Sequence, residues 1–186
     1  QRPFYLLQHE VESRNTLSDS VARAVADSHK YLWIGTNSRG LNRLDKETRQ
    51  FTVFQKDNNP NSIGGNAIRA LLNDGNKYLW IGHDKGLDRL NLQTELVSFQ
   101  HMNDAFHLPE KEVTSLAKDV FGQIWVGTWN NGICRIRRQE NGDYHLDFMK
   151  GLQSGMKALS PSRVITIYAD PVRPEVFYSS GKQLIR

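Results

Sequence analysis

Cysteine is almost missing from this chain of 186 residues: Cys134 is its single one, so no intrachain disulfide can form. Long apolar runs are missing too. None approaches the roughly 20 residues that cross a bilayer as a helix, and no signal-peptide pattern stands in these residues. The charge is not strongly one-sided. Twenty-four Lys and Arg face 20 Asp and Glu, for a net charge of +4. The basic residues are scattered, which predicts a solvated surface and no nucleic-acid track. Also absent are a Gly-x-Ser-x-Gly elbow, a phosphate-cradling Gly-Lys-Ser/Thr loop and a His-Glu-x-x-His pair. The six histidines, His9, His29, His83, His101, His107 and His145, never pair at metal-ligand spacing. Asp57-Asn58-Asn59 begins like a calcium loop, but the Gly and terminal Glu that would complete one are not there. No metal and no cofactor are therefore expected. Catalysis loses its common signatures without being removed as an alternative.

What the chain does have is repetition. Leu32-Trp33-Ile34-Gly35-Thr36, Leu79-Trp80-Ile81-Gly82-His83 and Ile124-Trp125-Val126-Gly127-Thr128 are three copies of one stretch. Each leads to a Gly and an apolar-x-Arg-apolar segment, at Gly40 to Leu44, Gly86 to Leu90 and Gly132 to Ile136. The Trp residues are 47 and 45 positions apart, a period that signals a repeat architecture. Asp27, Asp74 and Asp119 each stand six residues before a Trp, and Asp170 takes the same place in a fourth, partial copy. Short apolar stretches before each Asp and aromatic-rich stretches after each Arg segment bring the count to four candidate strands per period. Gly and Pro interrupt every longer window, so helices are not expected. Four strands in about 45–50 residues describe the blade of a β-propeller. One such sheet cannot bury both its faces, whereas neighbouring sheets can cover each other.

The expected fold class is all-β: a partial β-propeller of four-stranded antiparallel blades. The division by position is 1–16 as the outer strand of a preceding blade, then blades at 17–64, 65–110 and 111–160, and a truncated blade at 161–186. A typical ring at this period needs more residues, so the chain reads as part of a larger propeller, with Phe4 to Gln8 as a displaced outer strand.

Asp-x5-Trp-Ile-Gly-Thr followed by Gly-Leu-x-Arg-Leu resembles the two-component regulator propeller repeat, and so does Asp57-Asn58-Asn59-Pro60-Asn61-Ser62-Ile63 leading into the next unit. The Trp-Asp dipeptide of WD40 repeats and the double Gly of kelch repeats do not accompany this pattern. The resemblance implies a periplasmic sensor region of a bacterial hybrid two-component or related transmembrane signalling protein. It further implies a small-molecule or oligosaccharide ligand, no chemistry of its own, and membrane contact only through segments beyond these residues. Exposed end blades make a homo-oligomer the expected state. A protein-interaction scaffold and, more remotely, a propeller lyase or hydrolase are the alternatives.

Residues repeated in every unit are expected to build the scaffold. The Asp of each unit should cap a turn, the Trp should pack between blades, and Arg43, Arg89 and Arg135 should bridge blades or meet the turn acids. Cys134, where the other units have Asn42 and Asp88, reads as a passive strand residue. Departures from the repeat point to function. The loop between second and third strands is Thr36-Asn37-Ser38-Arg39, then His83-Asp84-Lys85, then Thr128-Trp129-Asn130-Asn131. Such loops gather on one rim, where rigid scaffolds present binding residues. The candidate ligand-binding residues are Trp129, Asn130, Asn131, His83, Asp84 and Arg39. Trp129 is suited to stacking on a sugar ring, and His83 with Asp84 to a polar pair.

Overall fold

The computed structural model of the protein describes residues 7–10, 12–13, 15–94, 96–106, 108, 112–140, 142–149, 163–180 and 183–186. Four antiparallel sheets follow one another along the chain. The first comprises β1 (Ala22–Asp27), β2 (Tyr31–Thr36), β3 (Leu41–Asp45) and β4 (Phe51–Phe54). The second comprises β5 (Ile68–Asp74), β6 (Tyr78–His83), β7 (Gly86–Asn91) and β8 (Phe99–His101). The third holds β9 (Val113–Lys118), β10 (Ile124–Thr128), β11 (Ile133–Arg138) and β12 (Tyr144–Phe148). The fourth holds β13 (Val164–Ala169), β14 (Val176–Ser180) and β15 (Gln183–Ile185). Within each sheet the strands bond in chain order. The first strands of successive sheets pack together, β1 on β5, β5 on β9 and β9 on β13. This is a partial β-propeller of meander blades. The predicted strand over Phe4 to Gln8 lies mostly outside the described residues, as do residues 150–162 of the link into the fourth sheet.

The repeated Leu-Trp-Ile-Gly stretch is the second strand of each full blade. Leu79, Trp80 and Ile81 are each at 0% exposure, so this strand is covered on both faces. Its Gly has a packing reason. A Cβ at Gly35, Gly82 or Gly127 would come within 2.4 Å of Ile68, 2.6 Å of Val113 or 2.6 Å of Val164, the β-branched residues opening the next blade's first strand. Those three neighbours are fully buried. The turn glycines Gly40, Gly86 and Gly132 have φ of 80°, 141° and 70°, as the tight hairpins require.

Three local expectations change on contact with the fold. The turn-capping Asp is found in the third and fourth sheets. Asp119 Oδ1 accepts from Phe121 N at 3.0 Å and Gln123 N at 2.9 Å, and Asp170 Oδ1 from Val172 N at 2.9 Å and Arg173 N at 2.8 Å. Asp27 and Asp74 instead pair with Lys46 and Lys118. Their turns close without a carboxylate: Ser28 N meets Tyr31 O in one, and Gly75 and Asn76 adopt φ of 62° and 57° in the other.

The Arg residues meet rings rather than turn acids, because antiparallel register sets Arg43, Arg89 and Arg135 opposite Trp33, Trp80 and Trp125. Arg89 does bridge blades, lying 5.1 Å from the ring of Tyr144, while Arg43 and Arg135 pair within their own sheets.

The connection after β8 is not wholly a polar loop. A helical turn, α1 (Asn103–Phe106), brings Met102 and Phe106 into the core, where Phe106 stacks on Trp80 with centroids 6.3 Å apart.

Candidate functional site

The equivalent central position of the third strand is Asn42, Asp88 and Cys134 in the three full blades, opposite Ile34, Ile81 and Val126. All three are at or below 1% exposure. Burial pushes the Cys134 thiol up to about 12, so it stays an unreactive thiol. Asn42 fastens the chain entering its blade: its Oδ1 accepts from Ser18 N at 2.9 Å and its Nδ2 donates to Ser18 Oγ at 2.8 Å. Asp88 does the same for the second blade, accepting from Gly64 N at 2.7 Å.

A charge at this position needs company, because a buried lone carboxylate is costly. Two imidazoles supply it. His101, directly opposite Asp88 in the register of β7 and β8, sets Nδ1 2.7 Å from Asp88 Oδ1. His83 occupies the place of Thr36 and Thr128 in the other blades and is 1% exposed. Its Nδ1 accepts from Lys85 N at 3.1 Å, which leaves the proton of the neutral ring on Nε2. That Nε2 lies 3.2 Å from Asp88 Oδ2, off the hydrogen-bonding line and without another partner. Burial drives the Asp88 carboxyl up, but His83, His101 and the Gly64 N–H outweigh it and hold the group below the usual carboxylate value.

The glycines at the entry make room for this cluster. A Cβ on Gly64 would sit 3.0 Å from the His83 ring and 3.1 Å from both Asp88 and His101, and one on Gly65 would sit 2.6 Å from His83 and Asp84. Above the cluster opens a cleft of about 750 Å³ between the connection at 56–64 and the β6–β7 hairpin. Lys56, Asn58, Lys85, His101 and Asn103 stand on its walls, with His83 and Asp88 at its base.

The six residues singled out from the sequence divide. His83 lines this cleft. Its carboxylate partner is Asp88, not Asp84, which turns away to accept from Ala67 N at 3.3 Å and to meet Lys85 at 3.5 Å. Arg39 is exposed on the first blade's hairpin, with its main-chain N on Thr36 Oγ1 at 3.2 Å. Trp129 is half-buried on the third blade's hairpin, and the Arg163 guanidinium lies 3.4 Å from its ring centroid, covering one face. Asn131 N donates to Thr128 Oγ1 at 3.1 Å, and Asn130 stands exposed beside it. These hairpins share one construction. Asn37, Asp84 and Trp129 each donate a main-chain N–H to the residue entering the blade, Val21, Ala67 and Glu112.

Sequence reasoning missed Asp88, His101 and the Gly64-Gly65 pair. The signal was a joint departure from the repeat: His for Thr, Asp for Asn, and Gly-Gly for Ser18-Asp19, all in one unit. No group of three or more His, Cys, Asp or Glu among the described residues is placed to hold a metal ion.

Comparison with known proteins agrees with this architecture. A family model described as two component regulator propeller matches residues 107–130. No curated protein matches the chain. Among solved structures, the extracellular domain of a hybrid two component system from B. thetaiotaomicron is 21% identical, with a TM-score of 0.60 over 97% of this chain and 28% of its own. PorZ, a surface component of the type-IX secretion system of Porphyromonas gingivalis, is 17% identical, with a TM-score of 0.67 over 95% of this chain and 27% of its own. The computationally designed Ika4 protein is 13% identical, with a TM-score of 0.55 over 98% of this chain and 97% of its own. The chain thus spans about 28% of the length of the first of these propellers. Residues 107–130 thus match the two component regulator propeller repeat, in a chain that shares the β-propeller fold along nearly all its length.

Proposed function

We propose that the chain is the ligand-recognising propeller module of an extracytoplasmic bacterial sensor, periplasmic in location, which binds and does not transform its ligand. The observation that carries this reading is the cleft over the His83–Asp88–His101 cluster. It is walled by amide and ammonium groups suited to a small polar molecule such as an oligosaccharide. Its base is a rigid sheet and its wall is the connection between two blades, the arrangement in which propeller loops hold ligands. The matched repeat and the propeller domain of the hybrid two component system support the assignment to signalling. Arg39 on the first blade and the Trp129 hairpin on the third are the alternative contact points.

Screening oligosaccharides against the protein by amide NMR tests the reading. Binding should move the signals of Lys56, Gly64, Lys85 and His101 together. Ligands that move only Arg39 or residues 129–131 would transfer the site to that surface, and a broad screen with no binder would remove the carbohydrate class. Turnover of a bound sugar would overturn the non-catalytic part.

The scaffold alternative has one observation in its favour, the exposed apolar faces of the end sheets at Val25 and Tyr168.

A further inference from the structure

The charge and the tautomer of the cleft select among polar ligands. We propose that it takes a carboxylate-bearing small molecule, seated against His101, with a proton taken up by the His101 ring on binding. This rests on the reading of the cleft as the ligand site.

Asp88 fixes the tautomer of His101. A carboxylate can only accept, so the 2.7 Å contact fixes a proton on His101 Nδ1 whatever the charge of the ring. The nitrogen that gains or loses a proton is therefore Nε2, on the outward edge of a side chain that is 43% exposed and lines the cleft. Neutral His101 presents a lone pair there, and protonated His101 presents an N–H donor. The protonated ring cancels the buried charge of Asp88 instead of adding an isolated one.

The other charged groups facing the cleft suit an entering anion. Lys56 and Lys85 stand on its walls. Asp57 also lines the cleft, with its Oδ1 accepting from Asn59 N at 2.8 Å. Asp84 meets Lys85 at 3.5 Å and the main chain at Ala67, outside the cleft lining. His83 is 1% exposed and keeps its Nδ1 occupied by Lys85 N. A carboxylate entering the cleft thus meets two ammonium groups and an imidazole able to become a donor, against one exposed carboxylate, Asp57. By linkage, an anion that prefers protonated His101 binds more tightly at lower pH, by at most about tenfold per pH unit for one proton. A neutral ligand of the same shape lacks that preference.

D-glucuronate and D-glucose are suitable probes, since the two rings differ at one carbon, which carries a carboxylate in the first. Imidazole and amide NMR titrations of the protein with each sugar at about pH 5.5 and at about pH 7.5 give both location and affinity. Glucuronate should bind more tightly than glucose, move His101 Nε2, and strengthen several-fold at the lower pH. His101→Asn should abolish that pH dependence, and Lys56→Ala should weaken glucuronate several-fold while the amide spectrum stays folded. Equal, pH-independent binding of both sugars in the cleft would overturn the carboxylate inference and leave the cleft as the ligand site. Glucuronate moving residues elsewhere, with His101 still, or no binding of either sugar, would overturn it as well; in the first of these cases the ligand site itself would have to move.

Discussion

Asp88 ties the entry of the second blade to its centre, and its contribution depends on charge. Its folded-state carboxyl lies below the ordinary value. The stabilisation it supplies is therefore complete above the unfolded carboxylate range, near pH 4, and is lost as pH falls through the lower folded value. Asp88→Asn keeps an oxygen able to accept from Gly64 N, as Asn42 accepts from Ser18 N. It should fold, cost about 1–3 kcal/mol at neutral pH through the histidines it leaves without their carboxylate, and lose less stability than the parent between about pH 5 and about pH 3. Urea melts across that range check this, and parallel curves for the two proteins would show that the charge is not what holds the loop. Trp80 sets the scale for the core. It is at 0% exposure, stacked on Phe106 and edge-on to Tyr144, so Trp80→Ala should cost about 3–5 kcal/mol in the same melts. A loss below about 1 kcal/mol would mean that the ring does not knit two blades together.

At the level of strands, the repeated Gly is a contact between blades. Gly82 leaves the space that Val113 fills, and the pairs Gly35 with Ile68 and Gly127 with Val164 repeat the arrangement. Gly82→Ala should therefore destabilise by about 1–3 kcal/mol through overpacking. Val113→Ala alone should also destabilise, by opening a cavity. The double variant should recover part of the sum, because one methyl is added where others are removed. A double-mutant cycle with no coupling would place the strain inside the blade and not between blades.

This level is also where the sequence was most and least legible. The second strands stood out because tryptophan recurs at a near-constant step and both neighbours are apolar, a local pattern that survives without knowing any contact. The turn after β8 did not, since Phe106 lies in a polar window and is drawn in by Trp80, which belongs to β6. The candidate site was half-legible for the same reason. His83 deviates from the repeat and is visible in isolation, whereas His101 acquires meaning only once the β7–β8 register sets it opposite Asp88.

Across the whole molecule, each inner strand has one residue that needs the preceding blade. Leu71, Leu116 and Ile167 lie opposite Ile81, Val126 and Tyr178, and pack into clusters with the sheet before them. Their counterpart in the first sheet is Val25, opposite Ile34, and it is 60% exposed. On the other face, Ala26, Leu72 and Ala117 pack towards the blade that follows, and their counterpart Tyr168 is 56% exposed. The end faces of the described sheets therefore do not cover each other, and both are apolar where the inner faces are apolar. Surfaces of this kind, beside a three-stranded sheet whose Leu184 is 74% exposed, favour association. We expect the isolated chain to exceed its monomer mass of 21.3 kDa in light scattering. Val25→Lys with Tyr168→Lys should return it towards that mass without lowering the urea midpoint, because neither side chain is buried within the monomer. A parent chain that runs as a monomer and binds no hydrophobe-sensing dye would show that a second copy does not cover these faces.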